Sequence, residues 1–406
     1  MNESRSAAVS QYLAWAKLHS EARFNLAVSG VADYPLAELP VRIEALEIGG
    51  TGPYGFRPLM ERLAAKSRVP EECVVYTHGT SMANFIALTA LVGRGDEVLV
   101  ERPSYDPLLT VLDHIGAKVG RFERRADKGF RLGLGELERN LTPQTRLVVL
   151  CNLHNPSSAF TDEKTMQQVG EMAARVGARV LVDEVYLETL FDQPWRSAFH
   201  LGPNFVITSS LTKAYGLSGI RCGWILAQPE LARRMWQIVD FTYGSPVHPA
   251  ELLAVIVLDN LGRVRERARA LLEPNRVLLN QFLASQPDLD CEPSRFGTTV
   301  FPRLKVFGRM IMCGMVAQYN ATAPEAGPNL MEVVGKRLRI QGLIVSDKPE
   351  RFAEWRSLAG PWVADGSLKY REDIVDGLDR AVPAFIGLLE GHNFGKLVVR
   401  VGPETI

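Results

Sequence analysis

Thr208-Ser209-Ser210-Leu211-Thr212-Lys213-Ala214-Tyr215-Gly216-Leu217-Ser218-Gly219-Ile220-Arg221-Cys222-Gly223-Trp224 is the stretch on which the reading of this chain turns. The apolar run Phe205-Val206-Ile207 precedes it, and Trp224-Ile225-Leu226-Ala227 closes it. Both have the length of buried strands. Between them lie one lysine, one arginine, hydroxyl residues ahead of the lysine, and glycines that allow turns and close backbone approach. A lone lysine in a Ser/Gly-rich loop is usually just solvated. Here Lys213 is flanked by apolar strands, with the cation Arg221 following in the same loop. Desolvation and a neighbouring positive charge both lower an amine's pKa. Such a lysine can attack a carbonyl and form a Schiff base. Ser210 and Arg221 could hold a phosphate while Lys213 holds an aldehyde.

The run S-x-[ST]-K followed by G-x-x-G-x-R-x-G resembles the lysine motif of class I/II aminotransferases, which use pyridoxal 5'-phosphate on the fold type I architecture. The resemblance implies that Lys213 is the internal aldimine lysine and proton shuttle, with Ser210 and Arg221 as phosphate ligands. It also implies an α/β fold: a large domain built on a mostly parallel sheet with helices on both faces.

Further motifs follow that family in order. Residues 7–22 read as an amphipathic packing helix. Asn25 to Val31 is either a surface turn or, by the resemblance, the segment bordering the substrate. Gly49 to Leu59 is a glycine-rich loop opening a helix, without the G-K-[ST] of a nucleotide loop. Its Tyr54 is either a turn tyrosine or the family's tyrosine that reaches a neighbouring subunit's phosphate. Val74-Val75-Tyr76 reads as a strand and Ser81 to Leu91 as a helix. Gly79, Thr80 and Ser81 lie between them, where free amides and a helix dipole favour an anion, and His78 reads as structural. Strands at 97–100 and 118–122 flank a helix opened by Arg102-Pro103-Ser104-Tyr105. Tyr105 either packs on the sheet or, as the family implies, stacks on the cofactor ring.

Arg146 to Cys151 is an apolar strand leading to Asn152-Leu153-His154-Asn155-Pro156-Ser157-Ser158. The family's N-P-[ST]-G turn implies that Asn155 donates to the cofactor's phenolate oxygen, with Ser158 in place of the glycine. A helix is expected from Thr161, as its cap, to Ala174. Then comes the strand 178–182 and Asp183-Glu184-Val185-Tyr186. A carboxylate at the end of a fully apolar strand needs a partner, and a pyridinium nitrogen is one. The family's D-x-x-Y implies that partner for Asp183 and a phenolate contact for Tyr186. One helical tract is expected over about 250–285, then a first small-domain strand at Gly297 to Leu304.

After Leu304 the family pattern stops. In its place stand Phe307 to Gly314, Ala317-Gln318-Tyr319-Asn320, Gln341 to Val345 and His392 to Val399. These resemble the C-terminal piece of zinc-independent medium-chain NADP-dependent reductases of the alkenal/leukotriene type. Tyr319 and Asn393 match positions lining that family's NADP site. The upstream glycine loop is missing, so NADP is not an expected cofactor. Arg400, in Val399-Arg400-Val401-Gly402, superficially matches the arginine with which aminotransferases clamp a substrate carboxylate, but its surroundings are those of the reductase's last strand.

The expected organisation is therefore 1–45, an N-terminal helix and substrate-side segment; 46–249, the large cofactor domain; 250–304, an interdomain helix and the start of a small domain; and 305–406, the reductase-like segment. With 46 basic and 46 acidic residues the chain is formally neutral, which argues against a nucleic-acid or anionic-membrane partner. The five dispersed cysteines read as reduced thiols of a cytoplasmic protein, and no apolar leader, membrane span or metal-spaced His/Cys cluster is apparent. The expected enzyme is a homodimer acting on an amino acid and a 2-oxo acid. Two other readings stay open: a pyridoxal-phosphate-binding protein that does not transaminate, and an NADP-dependent oxidoreductase.

Overall fold

Seven short, apolar runs form one sheet: β1 (Val74–His78), β2 (Glu97–Arg102), β3 (Lys118–Glu123), β4 (Thr145–Cys151), β5 (Arg179–Asp183), β6 (Phe205–Ser210) and β7 (Cys222–Leu226), in the order β1-β7-β6-β5-β4-β2-β3. They belong to a computed structural model that describes residues 10–18, 25, 27–50, 52, 54–312 and 331–403. Strands β1 to β6 run in one direction, and β7 alone is antiparallel, paired with both β6 and β1. Strands buried on both faces read as continuous apolar runs, as Val180-Leu181-Val182 does.

Successive side chains point to opposite faces. Val75, Val98, Val149, Leu181, Val206 and Ile225 therefore pack under α3 (Gly79–Leu91), α4 (Asp106–Ile115) and α8 (Pro229–Thr242). The alternate set, including Val74, Val148, Val182, Ile207, Trp224 and Leu226, packs under α2 (Arg57–Ser67), α6 (Glu163–Arg175), α9 (His248–Asp259) and α10 (Leu261–Ser285). Helix α5 (Leu134–Asn140) packs beside β3, and α1 (Gln11–Leu18) is the described part of the helix expected over 7–22. This is the fold type I α/β architecture: a mostly parallel sheet sandwiched by helices.

Several expectations need correction. The cap of α6 is Asp162, whose carboxylate accepts from the Thr165 amide at 2.8 Å. Thr161 is buried and otherwise engaged: its amide and carbonyl bond the Asn152 side chain, and its hydroxyl accepts from Arg124. The expected single helix over 250–285 is two, broken at Asn260, whose side-chain amide turns back onto the Ile256 carbonyl. Helix α3 starts two residues before Ser81, and α4 starts after Tyr105 rather than at Arg102. Of the strand expected over 297–304, only Arg303–Leu304 is extended in a ladder.

The chain divides into two compact units, Met1–Arg303 and Leu304–Ile406. Within the second, Arg309–Met312 pairs in parallel with Arg339–Gly342, and Glu372–Asp376 with Lys396–Arg400. The match at Ala317–Asn320, including Tyr319, lies outside the described residues. Arg400 holds Asp376 through two nitrogens, at 2.5 and 2.9 Å. The Asn393 side chain donates to the Gly395 carbonyl at 2.8 Å. No described helix is long and apolar enough to cross a membrane. Among the described residues, no group of three or more His, Cys, Asp or Glu could hold a metal ion.

Candidate active site

Parallel strands deliver their carboxyl ends to one edge of the sheet, and that is where ligands bind in open α/β folds. Gly79, Thr80 and Ser81 follow β1, Tyr105 follows β2 and Asn155 follows β4. Asp183 ends β5, and Ser210 ends β6. Because β7 runs the other way, Arg221 arrives just before its first residue, at the same edge. Thr80, Ser81, Tyr105, Asn155, Asp183, Val185, Tyr186, Thr212, Lys213 and Arg221 line one cleft there.

Lys213 sits in a one-turn helix, α7 (Thr212–Tyr215), closed by Gly216 at φ 67°. A β-carbon on Gly216 would fall 2.2 Å from the Ala32 carbonyl oxygen, so the turn admits glycine alone. Residues 31–34 lie against it: the Val31 amide donates to the Lys213 carbonyl at 3.0 Å, and the Tyr34 amide to the Gly216 carbonyl at 2.8 Å. Lys213 Nζ donates to Ser29 Oγ at 3.0 Å. Burial pulls the amine below the ordinary lysine value, Arg221 adds to this, and Asp183 opposes it. Placing the lysine so raises its neutral fraction, the form that attacks an aldehyde.

Asp183 is 3% exposed. One carboxylate oxygen accepts from Asn84 Nδ2 at 2.9 Å, the other from the Val185 amide at 3.0 Å, and Asn84 is in turn held by Thr208 Oγ1. Burial still pushes the carboxyl up to about 6, against those hydrogen bonds and Lys213. Across the cleft the groups suit an anion. Thr80 Oγ1 donates to Ser210 Oγ at 2.7 Å, and Ser210 contacts the Thr212 hydroxyl. Arg221, at φ 49°, bonds the His78 and Ser218 carbonyls, each at 3.2 Å. The first amides of α3 have no intrahelical partner and add the positive end of the dipole. Gly79, at φ 77°, is the residue this approach requires, since a β-carbon there would stand 2.5 Å from Arg221 Nη2. A group of hydroxyls, a guanidinium and helix amides suited to an anion, a buried carboxylate and a lysine with a lowered pKa line one cleft, and their chemistry fits the phosphate, ring nitrogen and aldehyde of pyridoxal phosphate.

Of the residues singled out in sequence by the aminotransferase motifs, Tyr54 stands apart from this cleft. It is 47% exposed, packs on Trp236 and donates to Asp240 at 3.3 Å. Sequence reasoning passed over Thr212, Ser29 and Asn84. Thr212 stood inside the quoted motif. Ser29 lay in the 25–31 segment without being singled out, Asn84 acts across 99 positions, and an asparagine among the apolar residues of 82–88 was the one hint of it.

Comparison with known proteins places this geometry. Residues 46–308 match the family aminotransferase class I and II. Capreomycidine synthase of Streptomyces vinaceus is 31% identical over 302 residues, covering 70% of this chain and 76% of that one. A crystal structure of a PLP-dependent aminotransferase from Streptococcus suis superposes with a TM-score of 0.68 at 24% identity, over 72% of this chain and 82% of that one. The NADPH-dependent curcumin reductase of Escherichia coli is 44% identical over 111 residues, 26% of this chain and 32% of that one. The cleft at the carboxyl edge lies within the matched residues, and this chain belongs to the class I and II aminotransferases, enzymes that work with pyridoxal phosphate.

Proposed function

We propose that this chain moves an amino group between an amino acid and a 2-oxo acid, with Lys213 as the residue that carries both attachment and proton transfer. The observation that carries the reading is the cleft itself, where the depressed Lys213 amine, the Asp183 carboxylate and the Arg221–hydroxyl cradle converge. Bound there, pyridoxal phosphate would supply the electron sink into which the substrate's Cα–H electrons drain. Asp183 would hold the proton on the ring nitrogen. Asn155 and Tyr186 would donate to the phenolate oxygen, and Tyr105 would lie against the ring. Gly79, Thr80, Ser81, Ser210 and Arg221 would hold the phosphate. Lys213 Nζ, released by the incoming amine, would take the proton from the substrate Cα and return it to the cofactor side.

We further infer a cytoplasmic homodimer. Tyr54 is half-exposed on the surface, as a residue serving a neighbouring subunit's phosphate would be. Residues 46–249 would form the cofactor domain and 250–304 the interdomain helix with the start of a small domain. Residues 305–406 would derive from the C-terminal piece of a medium-chain reductase. The 44% identity to a reductase over 111 residues supports that origin, and the match spans a third of that reductase's length. No NADP-dependent step is proposed.

Turnover is expected to be slow. The family match ends at residue 308, ahead of the strand where aminotransferases carry the arginine that clamps the substrate carboxylate. Arg400 is engaged by Asp376. A substrate without that clamp loses charge-assisted bonds and the alignment of its Cα–H, and a misplacement of about 1 Å can lower the rate on the order of a hundredfold. The first test is the absorbance spectrum of purified protein reconstituted with pyridoxal phosphate, before and after borohydride. A visible band is expected that borohydride bleaches while fixing the cofactor covalently to the wild type, and Lys213→Ala should retain no covalently bound cofactor. A colourless wild-type protein would sink the reading. Single-turnover conversion by several amino acids should be slow and unchanged by Arg400→Ala. Fast conversion abolished by that substitution would instead identify Arg400 as the clamp.

A further inference from the structure

Two residues beyond Tyr186 stands Glu188, and two residues beyond Lys213 stands Tyr215. Each pair spans a single helical turn, an α-turn at Lys213–Tyr215 and a 3-10 turn entered at Tyr186, so positions i and i+2 point to well-separated sides. Tyr186 and Lys213 face the cleft, so Glu188 and Tyr215 turn away from it, toward α2. There they meet. The Tyr215 hydroxyl donates to Glu188 Oε2, and Lys66 of α2 bonds Glu188 Oε1 at 2.5 Å. The glutamate side chain is 6% exposed and the lysine side chain 14%, so both charges are largely desolvated and depend on each other. Lys66 also stands over the Trp224 ring of β7, 5.5 Å from its centroid.

We propose that Tyr215, Glu188 and Lys66 form a tie that sets the Lys213 turn against the Asp183–Tyr186 turn from the side away from the cofactor. The tie rests on the aminotransferase reading above, since what it positions is the lysine and the tyrosine of that site. Its members touch neither cofactor nor substrate and are positioning residues. Both turns are short and carry site residues on one side only. Core packing of Leu187 and Ala214 and the Ser29 bond of Lys213 also bear on their separation, and the tie adds a polar link on the side away from the cleft. Small errors in that separation move an attacking amine by tenths of an ångström, a scale to which proton transfer at the substrate Cα is sensitive. The three side chains also border a cavity on this face, so water can take the place of a removed partner and the variants are expected to fold.

The holoenzyme decides the matter. Tyr215→Phe keeps the ring and removes the one hydroxyl. It is expected to shift the midpoint of the pH titration of the visible cofactor band by about half a unit or more, because the lysine's surroundings change. It should lower single-turnover conversion of an amino acid about tenfold, with a smaller change in the amino acid's half-saturation. Lys66→Met should reproduce both effects, and Lys66→Arg, which keeps the cation, should restore them toward wild type. Combining Tyr215→Phe with Lys66→Met should give less than the product of the single effects, as members of one network do. A Tyr215→Phe band with the wild-type midpoint and rate, even in a protein of lower Tm, would overturn the tie while leaving the cofactor reading intact. A wild type with no band would overturn both together.

Discussion

At the scale of single residues, Asp183 shows what the site asks of the fold. Its carboxyl is held at about 6 by burial, above the ordinary aspartate value of 3.8. Between those two values the folded, cofactor-free protein keeps a proton that the unfolded chain has lost. The stability this residue contributes is therefore fully present below the unfolded pKa and is lost as pH rises through about 6. The difference amounts to on the order of 3 kcal/mol. Asparagine does not titrate. Urea denaturation of cofactor-free Asp183→Asn and wild type should show the variant gaining on the wild type as pH rises from about 4 to 7, by roughly that amount. A gap that stays constant over this range would mean that the carboxyl titrates normally. With pyridoxal phosphate bound, a ring cation would favour the ionised form, and the gap should narrow. Much of this was legible in sequence, because an aspartate ending a run of valine and leucine has nowhere to solvate. Its support was not. Asn84 reaches it from another element, and nothing in a linear pattern of short motifs names the partner across 99 positions.

Among elements, the junction of β7 with α3 governs the anion cradle. A β-carbon on Gly223 would lie 2.5 Å from the Gly79 carbonyl carbon, with backbone on both sides and no flexible side chain to yield. Gly223→Ala is expected to push the first turn of α3 away from Ser210 and Arg221. It should cost about 1–3 kcal/mol of stability and weaken pyridoxal phosphate binding by about tenfold or more. Fluorescence titration of the cofactor-free protein reads the affinity, and wild-type affinity would show that the cradle tolerates the shift. The cap of α6 gives a smaller effect. Asp162→Ala should lower stability by about 1 kcal/mol without touching the visible band. Thr161 and Asp162 are both good capping residues, and sequence could not choose between them. The choice is made by Arg124 and Asn152, which use the threonine first. The strands were legible for the opposite reason: burial on both faces writes an unbroken apolar run whatever the neighbours are. The break at Asn260 carried no proline or glycine at the break to announce it.

Taken whole, the chain is uneven in its core. The first unit buries apolar side chains on both sides of its sheet, whereas among the residues of 304–403 whose side chains are described only Gly308 and Ala359 are buried. Trp355, Phe385, Phe394 and Leu378 are among the large apolar side chains left exposed there. Little apolar area is withdrawn from water to offset the entropy of ordering that segment. Limited trypsin digestion of the full chain should cut within 304–406 well before it cuts within 74–226, and amide exchange should be faster in the pair Glu372–Asp376 and Lys396–Arg400 than in β4 to β6. Equal protection of the two regions would show that the second unit is stabilised by contacts of its own. The change of family near residue 304 was readable because two sets of motifs abut there. The poverty of the segment's core was not, since its composition is as apolar as a folded domain's and burial is a property of what packs against it.

The antiparallel strand β7 has a consequence for how this protein can change over time. A parallel seventh strand would need a connection crossing the whole sheet, and such a crossing tolerates extra residues at its ends. Here the chain leaves β6 at Ser210 and re-enters β7 at Cys222 along the same edge, and the Leu211 amide closes the loop on the Cys222 carbonyl at 3.0 Å. Ser210, Lys213 and Arg221, proposed above to hold the phosphate and the aldehyde, share that single closed circuit. Its length is therefore frozen: one residue inserted between Thr212 and Arg221 would swing the arginine out of the cradle or the lysine out of the cleft. Variation by insertion and deletion is left to the connections on the far edge of the sheet, where no ligand is held.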